Sequence, residues 1–180
     1  AMRSVGGMVV AGDGGLRAAM RAALPFALTG AQESALVEID ADMGQPIRML
    51  RLLQGDVGSG KTLVAWMAML NAIEAGHQAA LMAPTELLTR QHYATLQAYG
   101  AKIGIEVAVL TGREKGKARG DVIEGLASGR IRAVVGTHAL FQDEVSFRSL
   151  ALAVIDEQHR FGVHQRLLLF GKSLHCDVIV

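Results

Sequence analysis

Between Gly55 and Thr62 the chain reads Gly55-Asp56-Val57-Gly58-Ser59-Gly60-Lys61-Thr62, filling every fixed position of the pattern G-x-x-x-x-G-K-[ST]. Its glycines allow the backbone to wrap closely around phosphate oxygens and present N–H groups as a nest at a helix N-terminus. Asp56, Val57 and Ser59 complete that cradle. Lys61 supplies a point charge for the β- and γ-phosphates, and the Thr62 hydroxyl reaches Mg²⁺. A chance glycine-rich turn is the competing explanation, but it would not place Lys and Thr in register between an apolar run and a helix-forming run. The motif selects a nucleoside triphosphate with its metal and is silent on the reaction.

A second set of chemically able residues follows the apolar run Leu150–Ile155, where Asp156 and Glu157 stand side by side. A carboxylate at the C-terminal end of a buried parallel strand lies at the edge where open α/β sheets bind ligands. Asp156 would hold Mg²⁺ directly or through water, and Glu157 would orient or deprotonate an attacking water. A solvated pair at a strand end is the plainer alternative, weakened here by the upstream phosphate cradle. Adjacent Asp and Glu favour hydrolysis over transfer to a small molecule, because the second carboxylate has a water to manage. Lys61, Asp156 and Glu157 are thus the candidate catalytic residues, with Thr62 and Asp156 on the metal.

The elements needed to position these groups can be read from periodicity. Apolar, strand-length runs occur at Ile47–Leu53, Ala79–Ala83, Ile105–Leu110, Ile131–Val135, Leu150–Ile155 and Val178–Val180, with helical segments at Lys61–Ala75, Glu86–Tyr99 and Lys115–Ala127. Strands apolar throughout, alternating with helices, predict an α/β fold: a three-layer, doubly wound, mainly parallel sheet. Upstream, Leu16–Leu24 predicts a short helix stopped by Pro25. Thr29 and Gln32 have capping-box spacing, opening a helix to about Met43. Residues 1–15, rich in glycine, read as a loose leader, with Ala1 as a remnant ahead of a native start at Met2.

Composition sets the outer limits. A chain of 180 residues suits one domain that buries roughly 70% of its unfolded surface. Hydrophobic residues at 51% and charged residues at 19% exclude a disordered chain. The net charge of +1 offers no general attraction for nucleic acid, so any such contact must be local. One cysteine, Cys176, excludes an internal disulfide, and no His or Cys spacing suggests a transition metal. The longest apolar stretch, Leu63–Leu70, is far below the ~20 residues of a membrane span, and the expectation is a cytoplasmic protein.

With its flanks included, the sequence resembles the RecG family of superfamily 2 DNA helicases, Asp156-Glu157-Gln158-His159 taking the place of the DEAD/DEAH box. Phe26 through Gln32 resembles the Q-type motif. Arg51-Leu52-Leu53-Gln54 with the phosphate cradle, and Ala83-Pro84-Thr85-Glu86-Leu87-Leu88, resemble motifs I and Ia. Gly116–Arg119, Gly136–Phe141 and Asp156–Arg166 continue the likeness, which covers about Leu24 to Val180. The related transcription-repair coupling translocase shares Arg160-Phe161-Gly162-Val163 but usually differs at Gln158 and after Val163.

The resemblance implies a RecA-like ATP-binding lobe over residues 16–180, using ATP and Mg²⁺ and acting on branched duplex DNA. It gives Gln32 a contact to adenine with Phe26 packed nearby, although Gln32 could serve only as the capping partner of Thr29. His159 would link the nucleotide site to later motifs. Pro84, Thr85, Thr111, Gly112, Gly136 and Thr137 would meet the nucleic-acid backbone, the alternative being ordinary helix and turn caps. The basic group Arg113, Lys115, Lys117 and Arg119 is either a solvated face or part of that surface. By the same resemblance, a Thr-Ala-Thr motif, a second lobe with an arginine finger and a wedge domain are expected outside this chain. Two other readings stay open: a non-catalytic nucleotide- or DNA-binding module, and a small-metabolite kinase, for which no arginine-rich lid is seen.

Overall fold

The computed structural model describes residues 8–47, 49–51, 53, 60–156 and 176–179. Two helices come first, α1 (Gly15–Ala23) and α2 (Gly30–Met43), followed by β1 (Leu50–Arg51), α3 (Lys61–Glu74), β2 (Gln78–Met82) and α4 (Glu86–Ala101). The chain continues through β3 (Val107–Leu110), α5 (Gly116–Ser128), β4 (Ala133–Gly136), a 3₁₀ turn (His138–Phe141), β5 (Leu150–Ile155) and β6 (Asp177–Ile179). The sheet runs β1-β6-β5-β2-β4-β3, and every described neighbouring pair is parallel.

Alternation along the strands separates two apolar layers. Ala79 and Leu81 of β2 face a layer with α1, α2, α3 and Leu96 of α4, whereas Ala80 and Met82 face Leu126 of α5 and Leu140 and Phe141 of the 3₁₀ turn. The three-layer expectation is met. Every residue of α3 from Leu63 to Ile73 is buried, which a helix apolar on all sides requires. The sheet covers one side of it and α1 and α2 cover the other, with the Trp66 indole N–H donating to Met20 Sδ at 3.4 Å.

Element bounds differ from the expectation mainly at the sheet margin. The strand expected over Ile47–Leu53 is paired over Leu50–Arg51, and the last strand begins at Asp177. That acidic residue breaks the apolar pattern, yet it is buried, its Oδ1 accepting the Met49 N–H at 2.8 Å.

The segment expected to be a loose leader is held from Val10 onward. Val10 is buried and its N–H donates to the Met43 carbonyl at 2.8 Å. Farther along, the Gly12 N–H donates to Asn71 Oδ1 at 2.8 Å, and the Gly14 and Arg17 N–H groups donate to the Glu74 carboxylate at 2.6 and 2.7 Å. The Arg17 guanidinium also pairs with Glu74 and reaches Asp40 at 2.7 Å. Glu74 is thus a carboxylate with a side chain only 1% exposed that closes the first turn of α1. The anchoring acceptors lie far along the chain, so the glycine-rich composition alone gave no sign of them.

A second polar knot fixes the loops leaving β2 and β3. Arg90 of α4 donates to Glu86 at 3.0 Å and to Glu114 at 2.5 Å, and Glu114 accepts the Thr111 N–H at 2.6 Å and its hydroxyl at 2.7 Å. Burial pushes the Glu114 carboxyl up, but the hydrogen bonds from Thr111 and Arg90 outweigh it and leave it below the ordinary glutamate range.

Two stability measurements follow from these knots. Glu74→Ala removes one partner of a buried pair, and urea unfolding should register a loss of about 3 kcal/mol, with Glu74→Gln losing less. For Glu114 the folded value lies below the unfolded one, so its contribution is present above the ordinary glutamate range and lost as pH falls through the lowered value. Unfolding curves should find the wild type more stable than Glu114→Gln at neutral pH, the gap closing in acid.

Candidate nucleotide site and the adjoining sheet edge

Because the strands run in one direction, the turn after each one emerges at a single edge. Gly60 follows β1, Pro84 and Thr85 follow β2, Thr111 and Gly112 follow β3, Thr137 follows β4 and Asp156 follows β5. Only β6 separates β1 from β5, so the start of α3 and Asp156 share one part of the edge. Of the phosphate-binding pattern, Gly60, Lys61 and Thr62 are described. Gly55, Asp56, Val57, Gly58 and Ser59 lie outside the described residues, as do Glu157, His159, Arg160, Phe161, Gln165 and Arg166.

Gly60 N-caps α3 at φ 80°, and no side chain among the described residues caps this helix. Lys61 is exposed and Thr62 half-buried at its first turn. An uncapped N-terminus with a lysine and a hydroxyl matches the donor set a bound phosphate and Mg²⁺ need. Gly60 is required twice over: its φ is left-handed, and a Cβ there would collide with the Gln32 amide.

Gln32 turns out to do two things at once. Its Oε1 accepts the Thr29 N–H at 2.8 Å while its own N–H donates to Thr29 Oγ1 at 3.2 Å, forming the capping box that the spacing predicts. The same side chain, only 8% exposed, donates from Nε2 to the Gly60 carbonyl at 3.4 Å, tying the start of α2 to the start of α3. An amide carries two N–H donors and two acceptor lone pairs, so capacity for an adenine edge remains. Phe26 is 54% exposed at the same end of α2.

Asp156 is half-buried. Its N–H donates to the Met82 carbonyl at 2.8 Å, and its Oδ2 lies 2.7 Å from Nε2 of His92 on α4. His92 was missed by sequence reasoning, which weighed it only as a metal ligand. The available signal was periodicity, since Thr89 and Leu96, three before and four after, are both buried and mark the inward face of α4.

The residues expected to meet nucleic acid divide into two groups. Pro84 and Thr85 are half-buried, the Thr85 hydroxyl accepting the Leu88 N–H at 3.2 Å as the cap of α4. Gly112 is exposed, with open space around it. Thr111 differs from the expectation: it is fully buried, and both its N–H and hydroxyl go to Glu114. Gly136 ends β4, where a side chain would strike the Leu110 carbonyl, and the buried Thr137 hydroxyl caps the 3₁₀ turn through the Ala139 N–H at 3.3 Å. In the basic group, Arg119 pairs with Glu144 and Gln142 and Arg113 with Glu86, while Lys115 and Lys117 are exposed.

Comparison with known proteins agrees with this arrangement. The sequence matches the DEAD/DEAH box helicase family over residues 29–174. It is 57% identical to the ATP-dependent DNA helicase RecG of Escherichia coli over 158 residues and 55% identical to that of Bacillus subtilis over 156, covering 88% and 87% of this chain. The chain spans 23% of the length of each of these relatives. A structure of RecG bound to a three-way DNA junction superposes with a TM-score of 0.85 at 44% identity, over 97% of this chain and 23% of that one. A hypothetical ATP-dependent RNA helicase from Sulfolobus tokodaii shares the fold at a TM-score of 0.66 and 18% identity, over 91% of this chain and 48% of that one. The RecG resemblance and the RecA-like lobe expected from the motifs are both borne out. From the match across most of its length, the chain belongs to the DEAD/DEAH box helicase family.

Proposed function

We propose that this chain is the ATP-binding lobe of a RecG-type DNA helicase, a motor that spends ATP to translocate on branched duplex DNA in recombination and repair. The observation that carries the reading is the shared edge of the α3 N-terminus and Asp156, in a chain 57% identical to a RecG helicase. No helix among the described residues is long and apolar enough to cross a membrane.

In this reading the cradle from Gly55 to Gly60 binds the phosphates through backbone N–H groups, and Lys61 neutralises the β- and γ-oxygens. Thr62 and Asp156 hold Mg²⁺, which when bound withdraws charge from the phosphate oxygens. Glu157 accepts the proton of a water whose oxygen bonds to the γ-phosphorus while the bridging oxygen leaves with ADP. His159 passes the state of that site onward. Gln32 and Phe26 take the adenine. Pro84, Thr85 and Gly112 meet the DNA backbone with Gly136 and Thr137 behind them, and Thr111 serves that surface by fixing its loop through Glu114. The wedge and second lobe belong to the longer protein.

An arginine finger supplied by a partner lobe is worth about 10³–10⁵ in turnover, so the 180-residue chain should bind MgATP but hydrolyse it slowly with little response to branched DNA. Titration with a fluorescent ATP analogue, followed by phosphate release with and without a three-way junction, measures both. Lys61→Ala should weaken MgATP binding more than tenfold. Rapid, DNA-stimulated hydrolysis by the isolated chain would contradict the single-lobe reading, and a Lys61→Ala chain that binds normally would contradict the site.

A further inference from the structure

Asp156 is oriented by more than its strand. Its backbone N–H is fixed on Met82, the last residue of β2, and its carboxylate on His92, two helical turns into the helix that follows β2. These two attachments belong to one β2–α4 unit. The contact is short, at 2.7 Å, and the two side chains are 18% and 34% exposed. A loose surface pair between flexible side chains has neither feature. His92 has few rotatable bonds, and buried Thr89 and Leu96 seat its helix face against the layer below. An ionised carboxylate only accepts hydrogen bonds, so Nε2 carries the proton and donates. Since a carboxylate has about four lone-pair sites, this bond is compatible with a cation or a cation-bound water on the same group.

We infer that His92 is a positioning residue for Asp156, holding the carboxylate in the orientation that grips Mg²⁺ and fastening that grip to α4. The inference rests on the proposed role of Asp156 in the nucleotide site. Hydrogen bonds that orient a metal-binding carboxylate typically govern affinity by about 10–100-fold, without touching the metal themselves. The geometry also gives α4 two contacts of consequence about 10 Å apart along its axis: Thr85 at its N-cap and His92 seven residues later. Displacement of the helix at its capped end would carry His92 with it, and Asp156 after that. In this arrangement the loop proposed to meet DNA and the carboxylate proposed to hold the metal are joined through one short rigid segment. Glu86 and Arg90 take no part in it, being committed to Glu114 and Thr111.

The test is a MgCl₂ titration of the binding of a fluorescent ATP analogue to the full 180-residue chain, with the metal-free affinity measured in EDTA. His92→Leu should raise the Mg²⁺ concentration at half-saturation about tenfold or more while leaving the metal-free affinity unchanged. His92→Gln, whose amide can donate at similar reach, should restore most of the loss. Asp156→Asn should raise the midpoint at least as far, and the double variant His92→Leu/Asp156→Asn should be no worse than Asp156→Asn alone. If His92→Leu does not fold, His92→Met gives the same comparison with a more adaptable side chain. A wild-type midpoint in the donor-free variants, or full additivity in the double variant, overturns the inference. Lys61→Ala separates the two failures. If it weakens binding while the His92 variants titrate like wild type, only the positioning role falls; if the wild-type chain binds no Mg²⁺-dependent nucleotide, the site reading falls and takes this role with it.

Discussion

The structure depends on the complete burial of α3. A helix whose surface is apolar all round cannot lie on a sheet with one side in water, so α1 and α2 must cover it before the fold is stable. That requirement explains the polar clamp at its far end. Asn71 and Glu74 reach back to the Gly12, Gly14 and Arg17 N–H groups, and Arg17 continues to Asp40 on α2. The result is a helix immobilised along its length with its N-terminus, capped by no described side chain, at the sheet edge. A phosphate cradle needs that rigidity, because N–H groups that must reorganise around an anion lose much of their advantage.

Gln32 extends the same logic to the entry of the site. One amide closes the first turn of α2 and touches the Gly60 carbonyl. The helix that covers α3 is therefore also registered against the loop that begins it. Substituting Gly60 would strain its left-handed backbone and displace this amide together, so the glycine answers to a tertiary contact as well as to the proposed phosphate.

What could be read from the sequence follows from the range of each interaction. The capping box spans three residues, and Thr29 and Gln32 announced it; the helices and central strands carried their periodicity and lie near the expected bounds. The phosphate pattern and the Asp156-Glu157 pair stood out as candidates by residue type and spacing. Contacts that close over long separations were invisible. Nothing near Gly14 points to Glu74, and nothing near Thr111 points to Arg90 as the cation that draws Glu114 and the loop together. The contact between His92 and Asp156, 64 residues apart, was missed for the same reason. Strand order is what brings them together, and periodicity does not specify it.

Strand order also explains how the edge divides. With β5 beside β2, Asp156 sits where the proposed nucleotide side meets the side formed by β2, β4 and β3. On that second side the side-chain groups are largely spent on the protein itself: Thr85 on its helix, Thr137 on its turn, and Thr111 on Glu114. A backbone ligand can then be met by N–H groups and helix ends held in place by these bonds, a mode of contact that reads phosphate and not base sequence. A motor of the proposed kind, stepping along DNA of any sequence, would have reason to build its surface in that way. In the proposed coupling, the unbroken helix α4 joins Thr85 at its N-cap to His92, and His92 joins it to Asp156.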